Sequence, residues 1–110
     1  MDRDALVAHA MTLPEVAESA HFGKRDFRVR GRIFMSLPEP GIAVLKLTPD
    51  QQQMALAVEP ELFQPVKGGW GLQGWTRFNH LAADGELAGH WLATAWRNVA
   101  PKTLLRAQGD

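Results

Sequence analysis

Five of the chain's twelve basic residues, Lys24, Arg25, Arg28, Arg30 and Arg32, crowd into nine positions with a single acid, Asp26. The local charge is +4 in a chain whose formal net charge is zero. Phosphate contacts need Lys or Arg on a stiff element, and a two-stranded ribbon can enter or straddle a nucleic-acid groove. These five residues are therefore the candidate nucleic-acid-binding set. The alternative is a solvated sheet face whose arginines pair with Glu15, Glu18 or Glu39. A neutral chain has no global field to draw in nucleic acid or an anionic membrane, so any electrostatic function has to be local.

A second constellation lies downstream. Gly69-Trp70-Gly71-Leu72-Gln73-Gly74 matches G-x-G-x-x-G to the letter. Its context refuses a dinucleotide: the next element is a strand, no βαβ unit surrounds it, and position 94, twenty residues on, is Thr94 rather than an acid. The alternative function is a small-molecule or protein-binding module built on loop 67–75, with Lys67, Trp70 and Arg77 as its candidate residues. An exposed indole can stack on a base or grip a partner. Equally, Trp70 can fold back over the core as a lid.

Chemistry of other kinds finds little support. There is no cysteine, hence no disulfide, thiolate metal site or thiol nucleophile. Ser19 and Ser36 lie outside any nucleophile elbow, although Ser19 and His21 would share one face of a strand. His9, His21, His80 and His90 lack metal-ligand spacing; a hydrogen-bonded structural role is the expectation, and His21 is the one worth testing. No catalytic residue, metal or cofactor is expected, and the protein is read as a binder, not an enzyme. Trp75, Trp91 and Trp96 are assigned to core packing.

Elements must position these residues. Asp4 to Thr12 has an acidic first turn and one apolar face, with Pro14 just beyond, and reads as a helix. From Glu15 to Leu47 the period is two, broken by Gly23, Gly31 and the Pro38-Glu39-Pro40-Gly41 turn, which predicts four antiparallel strands. Phe27 and Val29 alternate with Asp26, Arg28 and Arg30, giving a dry face and a wet, basic one. Arg30-Gly31 is a tight turn: a two-residue loop opposes Phe27 to Phe34, a three-residue loop to Ile33, and the register stays open. Ala43, Leu45 and Leu47 face the core. Thr48-Pro49-Asp50-Gln51 starts a helix that runs to about Val58. Glu59 to Gly74 is expected to be a loop with at most one helical turn. A fifth strand follows at Trp75 to Asn79, then a helix capped by Asp84 that Pro101 kinks or restarts.

The order α-β-β-β-β-α-β-α predicts an α+β fold, an antiparallel β-sheet with helices packed on one face. With 110 residues and no dividing linker it is one domain, residues 1–110. Met1 to Leu13 lacks the basic start and long apolar run of a secretory signal, and no stretch is long enough for a membrane span. A cytoplasmic protein without a membrane partner is expected.

Leu13-Pro14-Glu15-Val16, Ser19, His21-Phe22-Gly23, Phe27-Arg28-Val29-Arg30-Gly31-Arg32-Ile33-Phe34, Lys46-Leu47, Gly74-Trp75 and Ala100-Pro101-Lys102 together resemble the MmcQ/YjbR-like family of small bacterial proteins. The resemblance runs from about Leu13 to Leu105. It implies a CyaY-like α+β arrangement and a double-wing mode of DNA binding. The partner so implied is DNA, and contact through the basic hairpin would be weak and sequence-tolerant. It implies no settled biochemical activity.

Overall fold

A computed structural model describes residues 1–109. The chain runs α1 (Arg3–Thr12), β1 (Val16–His21), β2 (Lys24–Val29), β3 (Arg32–Glu39), β4 (Ile42–Lys46), α2 (Pro49–Val58), β5 (Phe63–Pro65), α3 (Gly69–Leu72), β6 (Trp75–Asn79), a 3₁₀ turn (His80–Ala82), α4 (Gly85–Val99) and α5 (Lys102–Ala107). Each of the three longer helices starts on a side-chain cap. Asp2 accepts from the Ala5 N–H at 2.8 Å and Asp84 from the Leu87 N–H at 2.8 Å. Thr48 and Gln51 form the reciprocal capping box that their spacing predicts, with Pro49 opening α2.

Six strands make one antiparallel sheet in the order β1-β2-β3-β4-β6-β5. Helices α1 and α4 lie against one face. Leu6 and Ala10 of α1 and the Trp91, Leu92, Ala95 and Trp96 stripe of α4 share one core with Phe27, Val29, Phe34, Leu45 and Phe78 from the strands. The Trp96 Nε1–H donates to the Pro14 carbonyl at 3.0 Å, tying α4 to the turn after α1. The other face of the sheet lacks a helical layer of this kind.

The α+β class and the order of the long elements are as the sequence predicts, with additions where Gly and Pro obscure the pattern. Within Glu59 to Gly74 the expected single helical turn is α3, and the short strand β5 joins the sheet beside β6. Pro65 is tolerated there because β5 is an edge, where a missing N–H breaks no ladder. Pro101 does restart a helix, α5.

Both early hairpins close on two residues with positive φ, Phe22-Gly23 (51° and 76°) and Arg30-Gly31 (49° and 82°). This is the type I′ pattern whose twist suits paired strands. It decides the loop length at Arg30-Gly31, and the register then takes a further step. Val29 opposes Arg32 and Arg28 opposes Ile33, but a bulge shifts the next pair, so Phe27 faces Met35 and not Phe34. Strict alternation would point Phe34 and Met35 to opposite faces; the extra residue lets both be buried in the core.

Candidate functional site: a groove on the uncovered sheet face

The basic hairpin does not present one basic surface. Along β2, Lys24, Asp26 and Arg28 point to the uncovered face, whereas Arg25 lies on the helix side, its guanidinium 6.0 Å from the Phe27 ring centroid. Arg30 occupies the turn and Arg32 begins β3. Three of the five are spent on carboxylates with two hydrogen bonds each: Arg25 with Glu18 (2.7 and 3.1 Å), Arg28 with Asp26 (2.8 and 3.0 Å) and Arg30 with Glu15 (3.0 and 3.1 Å). Hydrogen bonds from Arg30 and Arg25 hold the Glu15 and Glu18 carboxyls below their usual pKa of 4.5. The same bonds raise the pKa of Arg25 and Arg30, and the bond to Asp26 that of Arg28. Glu15 and Glu18 were available to sequence reasoning as partners. Asp26 was not: read as part of a wet face, it is 1% exposed and buried beneath its arginine. Lys24 and Arg32 have no ion pair among the described residues.

Where the sheet is uncovered, a groove of about 420 Å³ opens across it. Ile33, Ser36 and Val44 line its sheet floor, His21, Phe22 and Lys24 one end, and Val66, Trp70 and Trp75 the other. Trp70 is 62% exposed and Phe22 is 90% exposed, among the largest apolar groups the surface shows. The Trp70 and Trp75 rings meet edge to face at 6.2 Å between centroids, and Lys46 Nζ lies 5.0 Å from the Trp75 centroid. Trp75, expected in the core, is thus half-buried on the open face. Its strand neighbours Thr76 and Phe78 take the core positions, and alternation sends Trp75 outward.

The glycines of the loop position Trp70 by permitting close backbone approach. A Cβ at Gly71 would overlap the Val66 carbonyl, and one at Gly74, where φ is +106°, the Leu47 carbonyl. Gln52, buried on α2, locks the same segment: its Nε2 donates to the Gly71 carbonyl, the Trp75 carbonyl and Thr76 Oγ1, each at 3.1 Å. Thr76 Oγ1 donates in turn to the Gly74 carbonyl at 2.8 Å. Two glycines of the literal G-x-G-x-x-G, Gly71 and Gly74, thus serve packing and hold Trp70 on a fixed single turn, α3.

A profile of the YjbR family matches residues 11–98. The chain belongs to the YjbR family. The crystal structure of Deinococcus radiodurans protein DR2400, with a DUF419 domain, is similar to it with a TM-score of 0.77 and 20% identity, over 98% of this chain and 88% of that one. At that identity the likeness speaks for the fold alone. No curated protein matches the chain. Family membership thus fixes the scaffold, and function has to be argued from the site.

The other candidates in this YjbR-family chain are dispersed. Of Lys67, Trp70 and Arg77, Trp70 alone lines the groove; Lys67 is exposed one residue beyond the lining Val66, and Arg77 is held at 2.5 Å by Glu39. His21 is exposed and its side chain makes no hydrogen bond among the described residues; its ring meets that of Phe22 at 4.3 Å. The hydrogen-bonded structural histidine is His80, buried with Nδ1 2.8 Å from the Met1 carbonyl oxygen. No group of three metal-ligating side chains exists among the described residues, nor is any helix there long and apolar enough to cross a membrane. Sequence reasoning missed Phe22, Asp26 and Gln52. Phe22 alone left a signal, a large apolar residue directly before Gly23 at a hairpin tip.

Proposed function

We propose that this YjbR-family protein is a small-molecule-binding module, without catalysis of its own, whose site is the groove on the uncovered face of the sheet. Its occupant is a compound with a flat aromatic ring. The observation that carries this reading is Trp70, largely exposed yet fixed at the mouth of an apolar groove beside Trp75. An indole held rigid in water loses little entropy when a ring stacks on it, and the groove falls within the size of small-ligand sites. A cytoplasmic setting belongs to the same proposal, and the cysteine-free sequence is compatible with it.

Tryptophan emission under titration with flat aromatic compounds tests it. A saturable change is expected in the parent protein, weakened about tenfold or more in Trp70→Ala, because stacking contributes about 1–3 kcal/mol per ring. No saturable change with any such compound would remove the reading.

A second reading, DNA phosphates held by the basic hairpin, is favoured by Lys24 and Arg32, which carry no ion pair among the described residues. It expects binding to short duplex and single-stranded DNA that weakens with salt and is lost in Lys24→Glu/Arg32→Glu. Equal binding by that variant would count against it.

A further inference from the structure

We infer that the ring taken by the groove carries an anionic group held at Lys24, which makes the ligand a nucleotide in class. This rests on the groove reading above and adds a charge requirement to it. Asp26 is the single acid among the described residues lining the groove, and both its oxygens are occupied by Arg28. The lining is thus mostly apolar, with His21 and Ser36 as its other polar side chains and Lys24, exposed and without an acidic partner among the described residues, as its unpaired cation.

Lys24 and Pro38 also line a second hollow of about 270 Å³, so the two spaces share a wall. Arg3 and Arg25 join Lys24 in that hollow. Its acid, Glu39, is engaged by Arg77. Arg3 and Arg25 have their own carboxylates, Asp4 at 3.4 Å and Glu18 at 2.7 Å, which leaves Lys24 to meet the ligand directly. A neutral aromatic would leave this cation idle, and a bare phosphate would leave the two indoles idle. A ring joined through a spacer to a phosphate uses both: the ring lies by Trp70 and Trp75, the phosphate passes Lys24 toward the second hollow. Such a group is found in a free nucleotide and in each residue of a single strand.

The experiment compares adenosine, adenosine monophosphate and a short single-stranded oligoadenylate, by tryptophan emission, on the parent protein, Lys24→Ala and Lys24→Arg. Lys24 is exposed, so both variants should fold, which far-ultraviolet circular dichroism verifies. A charge-assisted contact predicts that adenosine monophosphate binds about tenfold tighter than adenosine. The preference should vanish in Lys24→Ala, persist in Lys24→Arg and shrink with salt. Adenosine and its monophosphate binding equally, or a preference that survives Lys24→Ala, overturns the inference while the groove reading stands. If neither binds, the inference falls. If the oligoadenylate binds tighter per nucleotide than the monophosphate, the natural source is a strand; the reverse identifies a free nucleotide.

Discussion

Asp26 and Arg28 form the ion pair with most at stake, because one partner is buried and the other only half so. Removing the guanidinium strands a desolvated carboxylate, whereas removing Arg30 leaves Glu15 free to rehydrate. Arg28→Ala is accordingly expected to lower the urea midpoint further than Arg30→Ala, and Asp26→Asn added to Arg28→Ala should restore part of the loss. The exposed pairs have a different signature. Glu15 and Glu18 bind a proton less tightly folded than unfolded, since Arg30 and Arg25 donate to their charged forms. The unfolded chain then takes up more protons as pH falls, so the stability these pairs supply is complete above about pH 4.5 and fades as pH drops through the lower folded values. In an NMR titration of side-chain carboxyls, Arg30→Ala should return Glu15 to its usual range and leave Glu18 low.

Among the elements, the four-residue α3 depends on its neighbours for its placement. Its single turn is too short to be stable alone, and it is held by Gln52 and by two close backbone approaches. Gln52→Ala leaves buried acceptors unmet and is expected to cost about 2–3 kcal/mol in urea unfolding. It should also weaken the binding of flat aromatic compounds read by tryptophan emission. Gly74→Ala meets both the Leu47 carbonyl and a positive φ, and should cost about 3 kcal/mol. Caps and apolar periodicity made α1, α2, α4 and five of the strands, β6 among them, legible, because those signals are local. Strand β5 was not legible: three residues ending in Pro65 carry no period, and they pair only because β6 presents an open edge.

At the scale of the whole molecule, zero net charge and three neutralised arginines limit any duplex binding to few phosphates. With Lys24 and Arg32 as contacts, the logarithm of affinity should fall against the logarithm of salt with a slope of about −2; five contacts would bring it to about −4.5. A measured slope near the steeper value would mean the arginines leave their carboxylates on binding. The sequence by itself determined the α+β class, the capped starts of α2 and α4 and the places of the tight turns, since caps, turn residues and apolar period are local signals. It also marked Trp70 and the basic cluster as candidates. Only the tertiary structure decided that Arg25, Arg28 and Arg30 are spent on carboxylates, that Asp26 is buried, and that Trp75 joins Trp70 and Phe22 around one groove. The reason is physical: which side of a strand meets water depends on where α1 and α4 pack, and the partners Glu15, Glu18 and Gln52 come from elements that local pattern cannot bring together.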